Sequence, residues 1–333
     1  PQTMRGAGCW NARADRITIA AAPALGGRYP LPMPHLASLL FLASFGIAWG
    51  LTMPLTKIAV STGHHPLGLI FWQVVIVALA LLPLMIRFRR RLRLDRPALT
   101  YYAFIGLGGT IVPNGVSYYC YTKLPAGIMS IMLSSIPMFS FGMALMLRAD
   151  RFSWRRIAGI LCGMTAIGLL VGPQASLPDP ALWVFVLLGL TPSICYAFEA
   201  NIVASFTPPG MDAISTLFGA SLVCAAILLP LTLGFGFFVD PLVAWGGPEW
   251  ALVVSSLLHA GAYCGFIWLL SRAGAVFSSQ VSYIVTLTGV GASALFLGER
   301  YASTVWLALL VMIAGLMLVQ PRPRSGDKLP AGA

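Results

Sequence analysis

The chain has 333 residues, of which 58% are hydrophobic and 9% are charged, and its mean hydropathy is +0.84. Soluble domains carry about a quarter charged residues, so this composition excludes a water-soluble globular protein. The formal net charge of +11 comes from basic residues in short loops between apolar runs. Such loops are typical of topology signals and of contacts with anionic membrane lipids, and they argue against a nucleic-acid partner.

Ten apolar runs follow one another along the chain, and most are about long enough to cross a bilayer as a helix, which takes roughly 20 residues. The runs are unbroken rather than alternating, so they predict helices and argue against a β-barrel. We therefore predict an all-α integral membrane protein with ten transmembrane helices, called spans one to ten. The predicted spans lie near residues 36–59, 67–86, 100–122, 126–147, 157–171, 181–206, 213–236, 250–270, 275–297 and 304–319.

The segment before span one, residues 1–34, is mixed in composition, weakly basic and contains proline and glycine. We expect a flexible cytoplasmic tail here, and translation from Met33 is the alternative.

The arginines predict how the chain crosses the membrane. The loop after span two reads "RFRRRLRLDR" (87–96), and further basic residues follow span four and span ten. If both termini are cytoplasmic, these segments fall on one side, and the opposite loops hold little beyond Lys123 and Arg300, as the positive-inside rule requires. We expect a multi-pass protein of a bacterial-type inner (plasma) membrane with cytoplasmic N and C termini.

The two halves of the chain resemble each other. Ile128–Phe152 aligns without gaps with Phe277–Tyr301, and an acid–arginine pair lies near the end of both segments. Chance similarity between two apolar helices is the alternative. Five spans per repeat is an odd number, so the second copy is inverted, which is typical of secondary transporters with a substrate site near the midplane. The predicted domains are a tail (1–34), the first repeat (35–171), a linker (172–180), the second repeat (181–320) and a cytoplasmic tail (321–333).

Span six contains Glu199, the only acidic residue well inside a predicted span. An ionisable group at membrane depth is a candidate functional residue because its burial is costly. A low-dielectric site favours the neutral carboxyl and would suit proton exchange. Alternatively, the carboxylate pairs with a substrate ammonium, or it has a structural role.

Span eight places His259 almost at its centre, with Tyr263 one turn further on. Histidine titrates near neutrality, so His259 is a candidate for proton coupling or for binding a substrate carboxylate, with an interhelical hydrogen bond as the structural alternative. In span one, Trp49 is a candidate aromatic wall. Lys57, near the outer end of that span, is a candidate for a structural or gating role.

Further polar residues complete the candidate substrate site. Span three carries Asn114 and Tyr118, and span nine carries Gln280 and Tyr283. Prolines interrupt four spans and would allow gating or produce static kinks. The candidate substrate-binding residues are thus Trp49, Asn114, Tyr118, Glu199, His259, Tyr263, Gln280 and Tyr283, and the candidate gating prolines are Pro54, Pro113, Pro137 and Pro192.

Three motifs resemble the EamA-type drug/metabolite transporter superfamily: "WGLTMPLTK" (Trp49–Lys57), "LPAGIMSIMLSSIPMF" (124–139) and "LGERY" (297–301). The resemblance implies ten helices in two EamA repeats, no metal or cofactor, and the movement of small metabolites such as amino acids, often outward and without ATP. The chain departs from the family in span two, where Gln73 lies in a region that usually carries an arginine.

The leading hypothesis is a secondary transporter of an amino acid or a related amphipathic compound. The family resemblance predicts an exporter, and Glu199 and His259 are the residues on which coupling to protons would rest. The alternatives are a pH-independent facilitator of drug-like or hydrophobic metabolites and a non-transporting receptor or scaffold. An intramembrane enzyme is disfavoured because acid–base or metal chemistry needs clusters of carboxylates, histidines or cysteines. We expect a small-molecule substrate and membrane lipids as partners, and a monomer or homodimer.

Overall fold

The computed structural model describes residues 35–146, 152–171, 179–242, 244–273 and 279–320. All regular secondary structure in these ranges is helical. The two predicted tails, most of the predicted linker and the acid–arginine pair after span four lie outside the described residues.

In chain order the helices are α1 (His35–Ala59), α2 (Pro66–Arg87), α3 (Arg96–Gly106), α4 (Val112–Lys123), α5 (Ala126–Leu133), α6 (Ile136–Met146), α7 (Trp154–Val171), α8 (Trp183–Leu188), α9 (Thr191–Phe206), α10 (Ala213–Gly234), α11 (Gly247–Ala273), α12 (Val281–Leu297) and α13 (Ser303–Val319). A π-helical turn, Leu107–Ile111, joins α3 to α4.

These helices account for the ten predicted spans within the described ranges. Span three consists of α3, the π turn and α4; span four of α5 and α6; and span six of α8 and α9. Among the described residues, seven segments are long and apolar enough to cross a membrane, and α12 and α13 are shorter apolar helices. The predicted all-α membrane architecture is therefore confirmed, although the predicted start of span nine at residue 275 falls outside the described ranges.

Prolines explain where three of the spans are interrupted. Pro113, Pro137 and Pro192 each lie at the second residue of α4, α6 and α9. Pro137 and Pro192 follow turns, and in the first turn of a helix a missing N–H leaves no hydrogen bond unmade. Since Pro113 has no N–H to donate to the carbonyl of Gly109, the helix widens into the π turn immediately before α4. Pro54 lies inside α1, which continues unbroken.

The largest helix contacts join one helix from each predicted half. Helix α1 packs on α11 and α12, α2 packs on α10, α6 on α9, and α7 on α13. Glycines allow two of these contacts: a side chain at Gly50 would collide with Thr288, and one at Gly159 would collide with the carbonyl of Gly315. Such small-residue contacts replace the hydrophobic effect as the source of helix association in lipid. The core of the molecule is thus the interface between its halves.

Candidate functional site

A small cavity lies between the halves of the bundle, where polar side chains from several helices meet. Its volume is about 20 Å³, of the order of one water molecule. Helices α2 and α4 and the π turn line it from the first half, and α9, α10 and α11 line it from the second. The lining residues are Gln73, Val74, Val77, Gly109, Thr110, Asn114, Tyr196, Leu217, Ser221 and His259.

A buried hydrogen-bond network forms one wall of this cavity. The amide oxygen of Gln73 on α2 accepts hydrogen bonds from Asn114 Nδ2 at 3.1 Å and from the Tyr118 hydroxyl at 2.9 Å. The Tyr196 hydroxyl on α9 donates to Asn114 Oδ1 at 2.6 Å. Gln73, Asn114 and Tyr118 are each less than 10% exposed. The network therefore connects span six of the second half to spans two and three of the first.

The carboxylate of Glu199 lies against the π turn beside the cavity. Its atoms occupy the space that a Cβ on Gly109 would fill, so a residue other than glycine at position 109 would displace it. Within the described residues Glu199 has neither a hydrogen bond nor an ion pair, and it lies one turn after Tyr196 of the network. A carboxyl group held in an apolar span without a partner is costly, which makes it a candidate ligand group.

The imidazole of His259 faces the cavity from α11, between two aromatic rings. The Trp49 indole lies 5.9 Å away between ring centroids in an edge-to-face arrangement, and the Tyr263 ring lies 6.4 Å away. No hydrogen bond of the imidazole occurs within the described ranges. The neighbouring Ser256 instead donates to the Leu252 carbonyl, so it belongs to the packing of α11. The structure thus gathers Trp49, His259 and Tyr263 along one side of the site.

The comparison with protein families decides what kind of molecule this site belongs to. The model of the EamA-like transporter family matches the chain twice, at residues 36–172 and at residues 183–320. The two matches together span most of the chain, one in each half. The chain belongs to the EamA-like transporter family. The predicted two-repeat architecture is therefore confirmed, and the protein is a multi-pass membrane transporter for a small molecule, not an enzyme.

Two further proteins are similar to this EamA transporter. A protein of Streptantibioticus cattleyicolor named "Probable terminal-alkyne amino-acid exporter" is 22% identical over 282 residues, which is 83% of this chain and 91% of the relative. A solved crystal structure superposes with a TM-score of 0.59 at 14% identity, over 85% of this chain and 97% of the other. At that identity the structural match shows the fold alone.

Two predicted site residues of this EamA transporter lie away from the cavity. Gln280 immediately precedes α12, and the hydroxyl of Tyr283 accepts a hydrogen bond from Gln320 Nε2 at 2.8 Å. Both therefore lie at the end of α12 where α13 also ends, which is the predicted cytoplasmic end. Of the eight predicted substrate-binding residues, only Asn114 and His259 line the cavity. Four others contact its lining residues: Tyr118 bonds to Gln73, Glu199 contacts Gly109, and Trp49 and Tyr263 pack beside His259. The structure does not bring Gln280 and Tyr283 together with this group.

Lys57 lies at the opposite end of the bundle, together with Glu299, and both residues have several protein partners. The Lys57 ammonium donates to the carbonyls of Tyr121 and Leu124, the latter at 2.9 Å. The Glu299 carboxylate accepts from the backbone N–H groups of Ala126 at 2.8 Å and Gly127 at 3.1 Å. The Tyr301 hydroxyl also donates to Glu299, at 2.5 Å. We call this group, Lys57 with Glu299 and Tyr301, the outer-end clamp.

Sequence reasoning did not select four polar residues of the cavity: Gln73, Thr110, Tyr196 and Ser221. A signal existed for two of them. Gln73 is the only amide in span two and stands in the region where the family resemblance leads one to expect an arginine. Tyr196 lies one turn from Glu199. Thr110 and Ser221 resemble the many hydroxyl residues that pack between membrane helices, and nothing in the sequence separates them from those.

A second, larger concavity of about 430 Å³ lies on the surface at the ends of α2 and α10. It is open to the side and is lined by Leu82, Met85, Ile86, Arg89, Arg90, Arg91, Leu92 and Phe218. Its location between arginines and exposed apolar side chains suits the edge of a membrane. We take the smaller cavity as the candidate transport site because His259 and the Gln73 network line it and the carboxylate of Glu199 lies beside it.

Proposed function

We propose that this protein is a secondary transporter that exports amino acids or related amphipathic amines by alternating access between its two halves. The observation that carries the proposal is a cavity between the halves that is lined by His259 and the Gln73 network, with Glu199 beside it at Gly109. The name of the Streptantibioticus relative, an amino-acid exporter, supports the same substrate class. We further propose cytoplasmic termini, a bacterial inner membrane, the predicted domain bounds, and a monomer or homodimer.

The substrate ammonium would pair with the carboxylate of Glu199, which has no other partner within the described residues. Charge-assisted hydrogen bonds of this kind are stronger than neutral ones. Trp49 and Tyr263 would contact the apolar part of the substrate. Because the cavity holds about one water molecule, the halves must separate to admit a substrate, and the broken spans at Pro113, Pro137 and Pro192 are where the helices would bend.

Proton coupling is the second part of the proposal. Glu199 would bind a proton when the substrate leaves and lose it when an ammonium arrives, so that transport exchanges one for the other. His259, which lines the cavity beside Glu199, would relay that proton. Both groups lie in apolar surroundings without a permanent partner in the described chain, and such groups mark proton pathways in membrane proteins.

The aromatic side of the cavity favours one alternative. The indole of Trp49 also lies 5.9 Å from the ring of Phe266, so Trp49, His259, Tyr263 and Phe266 form a continuous aromatic surface. Such a surface would accept a hydrophobic or drug-like molecule without a proton, as a facilitator does.

The test is uptake by the purified protein in liposomes, using the twenty radiolabelled protein amino acids and a set of hydrophobic amines, with matched and opposed pH gradients. We expect counterflow of at least one amino acid and accumulation that follows the pH gradient. Glu199→Gln should abolish the pH-driven component, whereas Glu249→Gln, which alters a carboxylate in the first turn of α11, should leave it unchanged. Flux indifferent to pH would support the facilitator, and no flux of any compound would refute transport of these classes.

A further inference from the structure

We propose that Gln73 recognises the carboxylate of the substrate, and that Asn114, Tyr118 and Tyr196 are positioning residues which aim its amide nitrogen into the cavity. This inference rests on the proposed function, because it names the part of an amino acid that a second group in the same cavity binds. It also makes Gln73 the residue that distinguishes amino acids from simple amines.

The hydrogen bonds to Gln73 determine which end of its amide remains free. A carbonyl oxygen has two lone pairs, and the Gln73 oxygen uses them for Asn114 and Tyr118. The amide nitrogen carries two N–H donors, and neither has a partner within the described residues. Gln73 is 7% exposed and lines the cavity. Two donors thus stand at a largely dry surface where a ligand oxygen would satisfy them.

The orientation of the amide is imposed from a neighbouring span. The Tyr196 hydroxyl on α9 donates to the Asn114 oxygen, which leaves the Asn114 nitrogen to donate to the Gln73 oxygen. Each residue therefore donates a hydrogen bond to the next, from Tyr196 to Asn114 and from Asn114 to Gln73. Because Tyr196 belongs to the second half, movement between the halves would also release the amide of Gln73.

Glu199 and Gln73 contact span three at two different levels. Glu199 contacts it at Gly109 in the π turn, and Gln73 contacts it at Asn114 in α4. Gly109 and Asn114 both line the cavity, so the two groups reach the same site from different levels of one span. The ammonium would then lie at Glu199 and the carboxylate at Gln73.

Neutral donors accompany Gln73 in the same cavity. Ser221 on α10 and His259 on α11 also line it, and both side chains can donate to a carboxylate oxygen. The residues on the Gln73 side therefore form a region of hydrogen-bond donors, whereas the contact of Glu199 with Gly109 places an acceptor on the other side. This division matches a zwitterion and disfavours a substrate with an amine at both ends.

The experiment uses proteoliposomes and the twenty radiolabelled protein amino acids, with the amide and the decarboxylated amine of each transported amino acid as competitors. In the wild type the amine should compete about 10- to 100-fold less well than the amino acid, as expected for one or two hydrogen bonds to a charged group. Gln73→Glu keeps an acceptor for Asn114 and Tyr118 but places an acceptor in the cavity. It should raise the KM for the amino acid about 10- to 100-fold while inhibition by the amine is retained.

Two milder variants test positioning apart from folding. Tyr118→Phe removes one of the hydrogen bonds that orient Gln73, and it should raise the KM for the amino acid about 3- to 10-fold without changing inhibition by the amine. Gln73→Asn keeps the amide but withdraws it from the cavity, and it should resemble Gln73→Glu. If Gln73→Glu proves unfolded in a thermal melt, these two variants test the proposal instead. The measured quantity is again the ratio of the affinity for the amino acid to the affinity for the amine.

The outcomes separate the two proposals. Amino acid transport with an unchanged ratio of amino acid to amine affinity in all folded Gln73 variants would overturn the inference and leave the proposed function intact. Transport of amines but of no amino acid would likewise overturn it. If the wild type transports neither class, the proposed function fails, and the assignment of Gln73 fails with it.

Discussion

The outer-end clamp and the region of the central cavity both contain ionisable side chains, but they differ in whether those side chains have hydrogen-bond partners in the protein. In the clamp, Lys57 has two carbonyl partners and Glu299 has two backbone N–H partners and a tyrosine. At the cavity, His259 and the nitrogen of Gln73 have no hydrogen-bond partner within the described residues, and neither has Glu199 beside it. Buried polar groups are normally paired. A paired polar group thus maintains the fold, whereas one without a protein partner is a candidate to bind what the protein transports.

The pairing in the clamp follows from helix ends. Glu299 lies at the N-terminus of α5, where N–H groups lack intrahelical partners and the helix dipole favours a negative charge. Lys57 lies at the C-terminus of α4, where carbonyl groups are free and a positive charge is favoured. Since Glu299 follows α12 of the second half and caps α5 of the first, the clamp holds the two halves together at one end of the bundle.

The largest expected effect is that of Glu199→Gln on transport. The change preserves the shape of the side chain and removes its charge, so uptake of the transported amino acid should fall about 100-fold through the loss of a charge-assisted hydrogen bond. The melting temperature should stay unchanged or rise, because no protein partner in the described structure loses a contact. Uptake in proteoliposomes and a thermal melt in detergent are the measurements. A large fall in melting temperature with normal uptake would place Glu199 with the clamp.

Glu299→Ala should have the next largest effect, and on stability instead. Removing this carboxylate leaves two backbone N–H groups of α5 and the Tyr301 hydroxyl without their acceptor, which should lower the free energy of unfolding by about 2 to 3 kcal/mol. Thermal melts of the purified variant measure this loss. Among molecules that remain folded, the KM should change little. A variant with wild-type stability and a raised KM would break the distinction between the two regions.

Gly109→Ala tests the location of Glu199 without altering its chemistry. A methyl group at residue 109 would occupy the space of the Glu199 carboxylate, so the flexible side chain must move and uptake should fall about 10-fold, as for a weakened hydrogen bond to a charged group. Gly108→Ala is the matched control, because its methyl group would meet only the Phe104 ring, at 4.0 Å. Equal uptake by both variants would refute the contact between Glu199 and the π turn.

The smallest expected effect is that of Tyr301→Phe. It removes one of three hydrogen bonds to Glu299 and leaves the two from the backbone, so the free energy of unfolding should fall by about 1 kcal/mol. Uptake should not change. A double variant with Glu299→Ala should lose less than the sum of the two single losses, because the residues share one hydrogen bond.

The fold was largely predictable because long unbroken runs of apolar residues identify membrane helices. The site was predictable only in part. Glu199 and His259 stand out as ionisable residues in apolar runs, and the structure places both beside one cavity. Tyr283 is also a polar residue in an apolar run, but it lies at the end of α12. Sequence hydropathy does not reveal how deep in the bundle a residue lies. Gln73 lacks charge, and span two is apolar on nearly every side, so its sequence does not show which face meets α4.

The most direct test of the account compares how substrate binding changes the melting temperature of three proteins: wild type, Glu199→Gln and Glu299→Gln. A ligand that binds the folded state raises the melting temperature, and at a fixed concentration the rise is larger for a tighter ligand. The account predicts that the transported amino acid stabilises wild type and Glu299→Gln, although the latter starts from a lower melting temperature, and that it fails to stabilise Glu199→Gln. Equal stabilisation of Glu199→Gln and wild type would contradict the claim that the partnerless groups of the cavity bind the substrate.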